Sequence, residues 1–242
     1  DKENIILKGK IESIGFVFYL AYRNCNDDKL ILQNIANNLS RKDKLLNKSF
    51  DKENSIEESK RRPKIRLGIS SNYFYSHSVA KCYLNLLKDF SKTEIEIIIF
   101  REVSCKVDST TKEIESIANE TIILPESLED SCKIVIQKSI DILFYLDIGM
   151  SAKTYLMSLS RLALVQVLGS GHPNTSGSSN IDYFISSKYL ETEKSDRYYS
   201  ERLIRLERLP VNYTNYEMQD TNLNRSNLNI SDKGFLIGLP HT

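Results

Sequence analysis

The stretch DILFYLDIGMSAKTYLMSLSRLALVQVL, residues 141–168, decides the fold. Asp141 to Leu146 is a short run of aliphatic and aromatic residues, the texture of a strand covered on both faces. Thr154 to Leu162 then carries a helical pattern, and Leu164 to Leu168 returns to a short apolar run. Strand, helix, strand is the repeating unit of a parallel sheet, because parallel neighbours need a crossover long enough to hold a helix. The same alternation extends outward. Upstream, Lys64 to Ser70 (KIRLGIS) alternates like a strand, Val79 to Phe90 is helical, and Glu94 to Phe100 (EIEIIIF) is strongly β-branched. Thr111 to Ala118 and Leu128 to Ser139 read as helices, with a strand at Thr121 to Leu124 between them. Downstream, Asp182 to Ile185 adds a further strand. The class expected is α/β, a Rossmann-like doubly wound parallel sheet over residues 61–211.

A short α-helical segment is expected before it. Ile14, Phe16, Val17, Tyr19, Leu20 and Tyr22 form a dense apolar patch, broken by Asn26-Asp27-Asp28. Leu30, Ile31, Ile35 and Leu39 then recur at helical spacing. Ser49 to Arg62 is polar and without apolar periodicity, so it reads as a linker, with Lys60-Arg61-Arg62 solvated. Residues 1–60 are thus a helical lead-in and linker, the possible end of a helical-repeat region. Residues 212–242 read as a polar, Asn-rich linker and then a strand, Gly234 to Leu239 (GFLIGL). A buried-type strand as the last element leads us to expect that the natural protein continues.

Composition narrows the function classes. The formal net charge is +1, which leaves no basic excess to neutralise nucleic-acid phosphates or an anionic membrane surface. The apolar runs Phe16 to Tyr22 and Leu162 to Leu168 are far too short to span a bilayer. With no leader-like N-terminal run, a cytoplasmic location is the expectation. Cys25, Cys82, Cys105 and Cys132 are scattered, with no CxxC pair and no histidine at ligand spacing, so free thiols and no metal are expected.

Ligands of open α/β sheets sit at the carboxyl ends of the strands. Three loops occupy that position. The first contains Ser70, Ser71, Asn72 and His77; the second contains Asp147, Gly149 and Met150. The third is Gly169-Ser-Gly-His-Pro-Asn-Thr-Ser-Gly177. It lacks the lysine of a Walker A loop, since Ser178 follows Gly177, and it lacks the third glycine of a dinucleotide fingerprint, since Asn174 stands there. What it offers is exposed amides and hydroxyls beside an imidazole, suited to a sugar or a phosphate. His77 and His172 are each placed for acid, base or donor chemistry, or for capping a helix or bonding a carbonyl. On position alone the capping use is the commoner.

The combination of pieces is specific. Gly171-His172-Pro173-Asn174-Thr175-Ser176-Gly177, then Ile181-Asp182-Tyr183, then Tyr199-Ser200-Glu201-Arg202-Leu203 resembles the N-terminal catalytic half of the O-linked N-acetylglucosaminyltransferases, glycosyltransferase family 41, and its bacterial SPINDLY-like members. RLGISSNYFYSHSVA (residues 66–80) resembles that family's opening strand and histidine loop, although Asn72-Tyr73-Phe74 stands where Ser-Asp-Phe is common. FYLAYRNCNDDKL (residues 18–30) resembles the connection from a TPR-type repeat region. GFLIGLPHT (residues 234–242) resembles the first strand of a C-terminal nucleotide domain. His172 stands where the animal enzymes have Tyr, which points to the bacterial and N-glycosyltransferase branches.

The resemblance implies the N-terminal domain of a GT-B enzyme, an inverting and metal-independent transferase with no cofactor. It would move a sugar from a UDP-sugar such as UDP-GlcNAc to a polypeptide side chain. His77 would lie at the reaction centre. Gly171, His172, Pro173, Thr175 and Ser176 would line the cleft facing the sugar or diphosphate. The implied partners are the UDP-sugar and the polypeptide acceptor, with no nucleic acid and no membrane. A fragment lacking the C-terminal half is expected to transfer no sugar by itself. The alternative is a non-catalytic GT-B-like module that docks a protein.

Overall fold

The computed structural model describes residue 18 and residues 28–42, 50–213, 224–231 and 233–237. The expected apolar patch at 14–22, except Phe18, lies outside the described residues, as do Cys25 and His241. The strands are β1 (Ile65–Ser70), β2 (Ile95–Glu102), β3 (Glu120–Leu124), β4 (Ile142–Tyr145), β5 (Val165–Leu168), β6 (Tyr183–Ser187) and β7 (Arg202–Leu206). The helices are α1 (Asp28–Lys42), α2 (Lys52–Arg61), α3 (Ser78–Phe90), α4 (Ser109–Ile117), α5 (Leu128–Gln137) and α6 (Ala152–Ser158). All seven strands form one sheet in the order β3-β2-β1-β4-β5-β6-β7, and every pairing is parallel. This is the Rossmann-like α/β arrangement, with the order reversing between β1 and β4.

The β-branched run explains why the sheet is covered on both faces. Along β2, Ile97 and Ile99 join the apolar cluster with Val79, Ala80, Tyr83 and Leu87 of α3 and Ile114 of α4. Ile98 and Phe100 point the other way, into a cluster with Cys132 and Val135 of α5 and Tyr155, Leu156 and Met157 of α6. A period of two places each neighbour on the opposite face, and both faces are dry. Side-chain caps start the helices: Asp108 forms a capping box with Thr111 at α4, Ser127 caps α5, and Ser151 caps α6. Each accepts an otherwise orphaned first-turn N–H.

The lead-in helix is built into the same core. Phe18, Leu32 and Ala36 are buried with Tyr155, Phe184 and Leu203. The face α1 turns inward therefore centres on Leu32 and Ala36, while Leu30 and Ile31 of the expected stripe are exposed. Contact is backbone to backbone: a Cβ on Gly177 would lie 2.3 Å from the carbonyl carbon of Leu32, and Gly177 has φ +72°. Only glycine satisfies both conditions. Gly177→Ala should cost about 3 kcal/mol, from left-handed strain and overpacking together. Urea denaturation checks this, and a loss below about 1 kcal/mol would mean that α1 is not seated there.

Three further segments differ from expectation. Residues 52–61, read as part of a linker, form α2, which buries no side chain and is therefore invisible to hydrophobic periodicity. It is held by its cap, with Asn54 N–H donating to Asp51 at 3.1 Å, and by the Ser139 hydroxyl donating to Glu58 at 2.8 Å. Arg62, read as solvated, instead anchors the start of β1. Its guanidinium reaches Asp141 at 2.7 Å and the Ser139 carbonyl at 2.7 Å, and Asp141 also accepts from the Arg66 N–H. β7 is an addition: in Arg202-Leu-Ile-Arg-Leu206 two arginines interrupt a short apolar run at the sheet edge. Phe235, Leu236 and Ile237 are exposed and belong to no strand. A strand needs a ladder partner to satisfy its backbone groups, and these described residues have none within the sheet.

Candidate functional site

The carboxyl ends of β1 and β4 lie side by side at the reversal of strand order, where an open α/β sheet leaves its crevice. The loop after β1 and the loop after β4 are clipped together by Asp147. One oxygen of its carboxyl accepts from the Asn72 N–H at 2.7 Å and from the Ser71 hydroxyl at 3.2 Å. Its main-chain carbonyl accepts from the N–H groups of Met150 and Ser151. Further out, the Tyr73 hydroxyl donates to the Met150 carbonyl at 3.2 Å.

The loop after β5 closes onto the same point. A Cβ on Gly171 would lie 2.0 Å from the Leu146 carbonyl oxygen and 2.9 Å from the Asp147 Cα. A Cβ on Gly149 would lie 2.8 Å from the Cβ of His172. Glycines at 149 and 171 are therefore what let the two loops touch. Tyr83 of α3 adds a tie, its hydroxyl accepting from the Ser170 N–H at 2.9 Å.

His77, expected from the sequence at the reaction centre, is half-exposed in the loop after β1. It is also the N-cap of α3: its Nδ1 accepts from the Val79 N–H at 3.2 Å. Its ring lies 4.6 Å from that of Tyr73 and 5.5 Å from that of Tyr75. Partial burial, then the nearby Lys81 ammonium, lowers its pKa below the ordinary imidazole value. The shift favours the neutral ring. With Nδ1 used as acceptor, its proton sits on Nε2, which is then a donor.

Of the remaining expected residues, Pro173 is exposed and Gly171 half-buried, while His172, Thr175 and Ser176 are buried. His172 is buried, packed edge-on against Phe18 with 5.5 Å between ring centres, and burial lowers its pKa. Thr175 and Ser176 are buried as well, and their hydroxyls are spent on Glu201. Thr175 donates to that carboxyl at 2.6 Å, the Ser176 N–H donates to it at 2.8 Å, and the Ser176 hydroxyl also donates to it. Pro173 and Thr175 border a half-open groove of about 290 Å³, between the first turn of α1 at Asp28 and Lys29 and the tyrosines Tyr198 and Tyr199. His77 is not among that groove's walls. Among the described residues no cluster of His, Cys, Asp or Glu could hold a metal ion. No helix there is long and apolar enough to cross a membrane.

The chain matches no protein-family model and no curated protein. Among solved structures it is similar to a mutant of the O-GlcNAc transferase from Thermobaculum terrenum, with a TM-score of 0.66 and 20% identity. That likeness covers 83% of this chain. The fold is O-GlcNAc-transferase-like. The chain spans 38% of the length of the transferase it matches.

Within this O-GlcNAc-transferase-like fold, two residues matter that sequence alone did not single out. Asp147 was placed in the second loop without a role. An acid directly after a buried strand such as DILFYL was the available signal, because such a position is seldom solvated. Glu201 gave no signal of its own beyond belonging to the Tyr199-Ser200-Glu201 piece. Its partners lie 25 and 26 residues away in the chain, and no local pattern reports that.

Proposed function

We propose that this chain is the N-terminal half of a UDP-sugar-dependent inverting glycosyltransferase acting on a polypeptide side chain. The observation that carries the proposal is His77, half-exposed and favoured in its neutral form, in the loop after β1 at the carboxyl edge of an O-GlcNAc-transferase-like sheet. In such a reaction the acceptor side chain attacks the anomeric carbon and loses a proton, while the bond to UDP breaks and the diphosphate takes up the negative charge. Donors aimed at developing charge and at the acceptor supply the catalysis.

The cap bond at Nδ1 supports a donor or acceptor-orienting role for His77. Serving as base through Nε2 would require the other tautomer and the loss of the cap, at about 1 kcal/mol. The buried network of Thr175, Ser176 and Glu201 supports a framework role for those hydroxyls, leaving Pro173 and the loop backbone as the ligand-facing part. Labelled UDP-GlcNAc and UDP-glucose, incubated with the full-length protein and candidate polypeptides, test the proposal. Label entering polypeptide from either donor is the expected result. Absence of transfer together with absence of UDP binding would favour a protein-docking module instead.

A further inference from the structure

Asp147 is fully buried, and one of its two carboxyl oxygens takes both hydrogen bonds from the loop after β1, while the Thr154 hydroxyl of α6 also approaches the carboxyl. That oxygen holds two consecutive residues of the loop after β1, Ser71 by its hydroxyl and Asn72 by its N–H. The Ser71 oxygen in turn accepts from the Tyr73 N–H at 3.0 Å. Tyr73 is the ring nearest to His77, at 4.6 Å. A chain of short contacts therefore runs from the Asp147 carboxyl through Ser71 and Tyr73 to the His77 imidazole. We infer that Asp147 is a positioning residue: its carboxyl sets the turn after β1 and thereby the direction in which His77 presents its Nε2.

A packing role alone does not account for this group. A carboxyl in the dry interior is costly, and an apolar side chain would fill the space more cheaply. What a carboxyl adds is an acceptor for two donors that would otherwise be orphaned. The charged and titratable groups facing it are Glu102 from the end of β2 and the Cys105 thiol from the turn beyond. From α6 the Thr154 hydroxyl faces it, and from the loop after β5 the Gly171 backbone does. Burial, reinforced by Glu102, raises its pKa to about 7. A neutral acid still accepts through the bonded oxygen and carries its proton on the other one. Asparagine is thus a fair replacement, and alanine is not.

The inference leans on the proposed function only for why the direction of His77 matters. Its test reads His77 with no sugar present, so it holds or fails apart from any transfer. Imidazole nitrogen and ring-proton spectra of His77 are recorded against pH for the wild-type protein and for Asp147→Ala, Asp147→Asn and Ser71→Ala. In Asp147→Ala the His77 midpoint should rise toward the ordinary imidazole value, the Nε2–H tautomer preference should weaken, and the Val79 amide should exchange about fivefold faster. Asp147→Asn should restore the wild-type signals, and Ser71→Ala should move them the same way as alanine at 147, by less. Unmoved His77 signals in a folded Asp147→Ala protein would overturn the inference, as would an asparagine variant displaced as far as the alanine one. Should Asp147→Ala fail to fold, unmoved His77 signals in Ser71→Ala would overturn it instead.

Discussion

Glu201→Ala is expected to lower the unfolding free energy by about 4 kcal/mol, because two buried hydroxyls and one buried amide lose their acceptor together. The Thr175 hydroxyl, the Ser176 hydroxyl and the Ser176 N–H all end on this one carboxyl, and the Ser200 hydroxyl reaches it at 3.2 Å. Thr175, Ser176 and Glu201 are all buried, so these donors depend on the one carboxyl. The residue also ties the start of β7 to the loop after β5, and that loop carries Gly177 against α1. Loss of the carboxyl therefore loosens a sheet edge, a loop and a helix at once. Glu201→Gln keeps one acceptor oxygen and should lose about 1 kcal/mol. Urea denaturation of both variants measures the difference, and an alanine variant within about 1 kcal/mol of wild type would contradict the network's role.

The second large effect is on the pH dependence of stability. Asp147 has its pKa raised from 3.8 to about 7, first by burial and then by Glu102. The native state therefore holds a proton between about pH 4 and 7 that the unfolded state has released. The stability this proton supplies is fully present below about pH 4, and it is lost as pH rises through about 7. The span corresponds to about 4 kcal/mol at one pKa unit per ~1.4 kcal/mol. Asp147→Asn carries no such proton, so its stability relative to wild type should climb by that order between pH 4 and 8. Asp108 acts with the opposite sign, its pKa lowered by the N–H groups of Ser76 and Thr111. It is shared by both proteins, so it cancels in the difference. Parallel stability curves for the two proteins would show that the carboxyl is not held protonated by the fold.

The sheet was legible because both of its faces are apolar. EIEIIIF and DILFYL need no partner to be recognised, and the helices between them carry their own period. What stayed hidden was polarity used locally. α2 has no apolar face to read, and Arg62 looks like a solvated charge until Asp141 is placed beside it. On α1 the inward face was misjudged, because Leu30, Ile31 and Leu32 are equally apolar in sequence and only the close contact with Gly177 turns Leu32 and Ala36 toward the core. The candidate site was legible as three loops and two histidines. Its hydrogen-bonding was not: the carboxyls that organise it, Asp147 and Glu201, act on residues 25 to 76 positions away. Of the two uses weighed for His77, the structure shows the helix cap through Nδ1.

The central claim, that His77 stands at the centre of a glycosyl-transfer site, is tested most directly by one comparison. Transfer of labelled sugar from UDP-GlcNAc or UDP-glucose to polypeptide is measured for the full-length protein and for its His77→Ala variant at equal folded concentration. The account predicts transfer by the wild type and a loss of about a hundredfold or more in the variant, the range expected for a lost proton-transfer or donor group. Equal transfer by both proteins would contradict it.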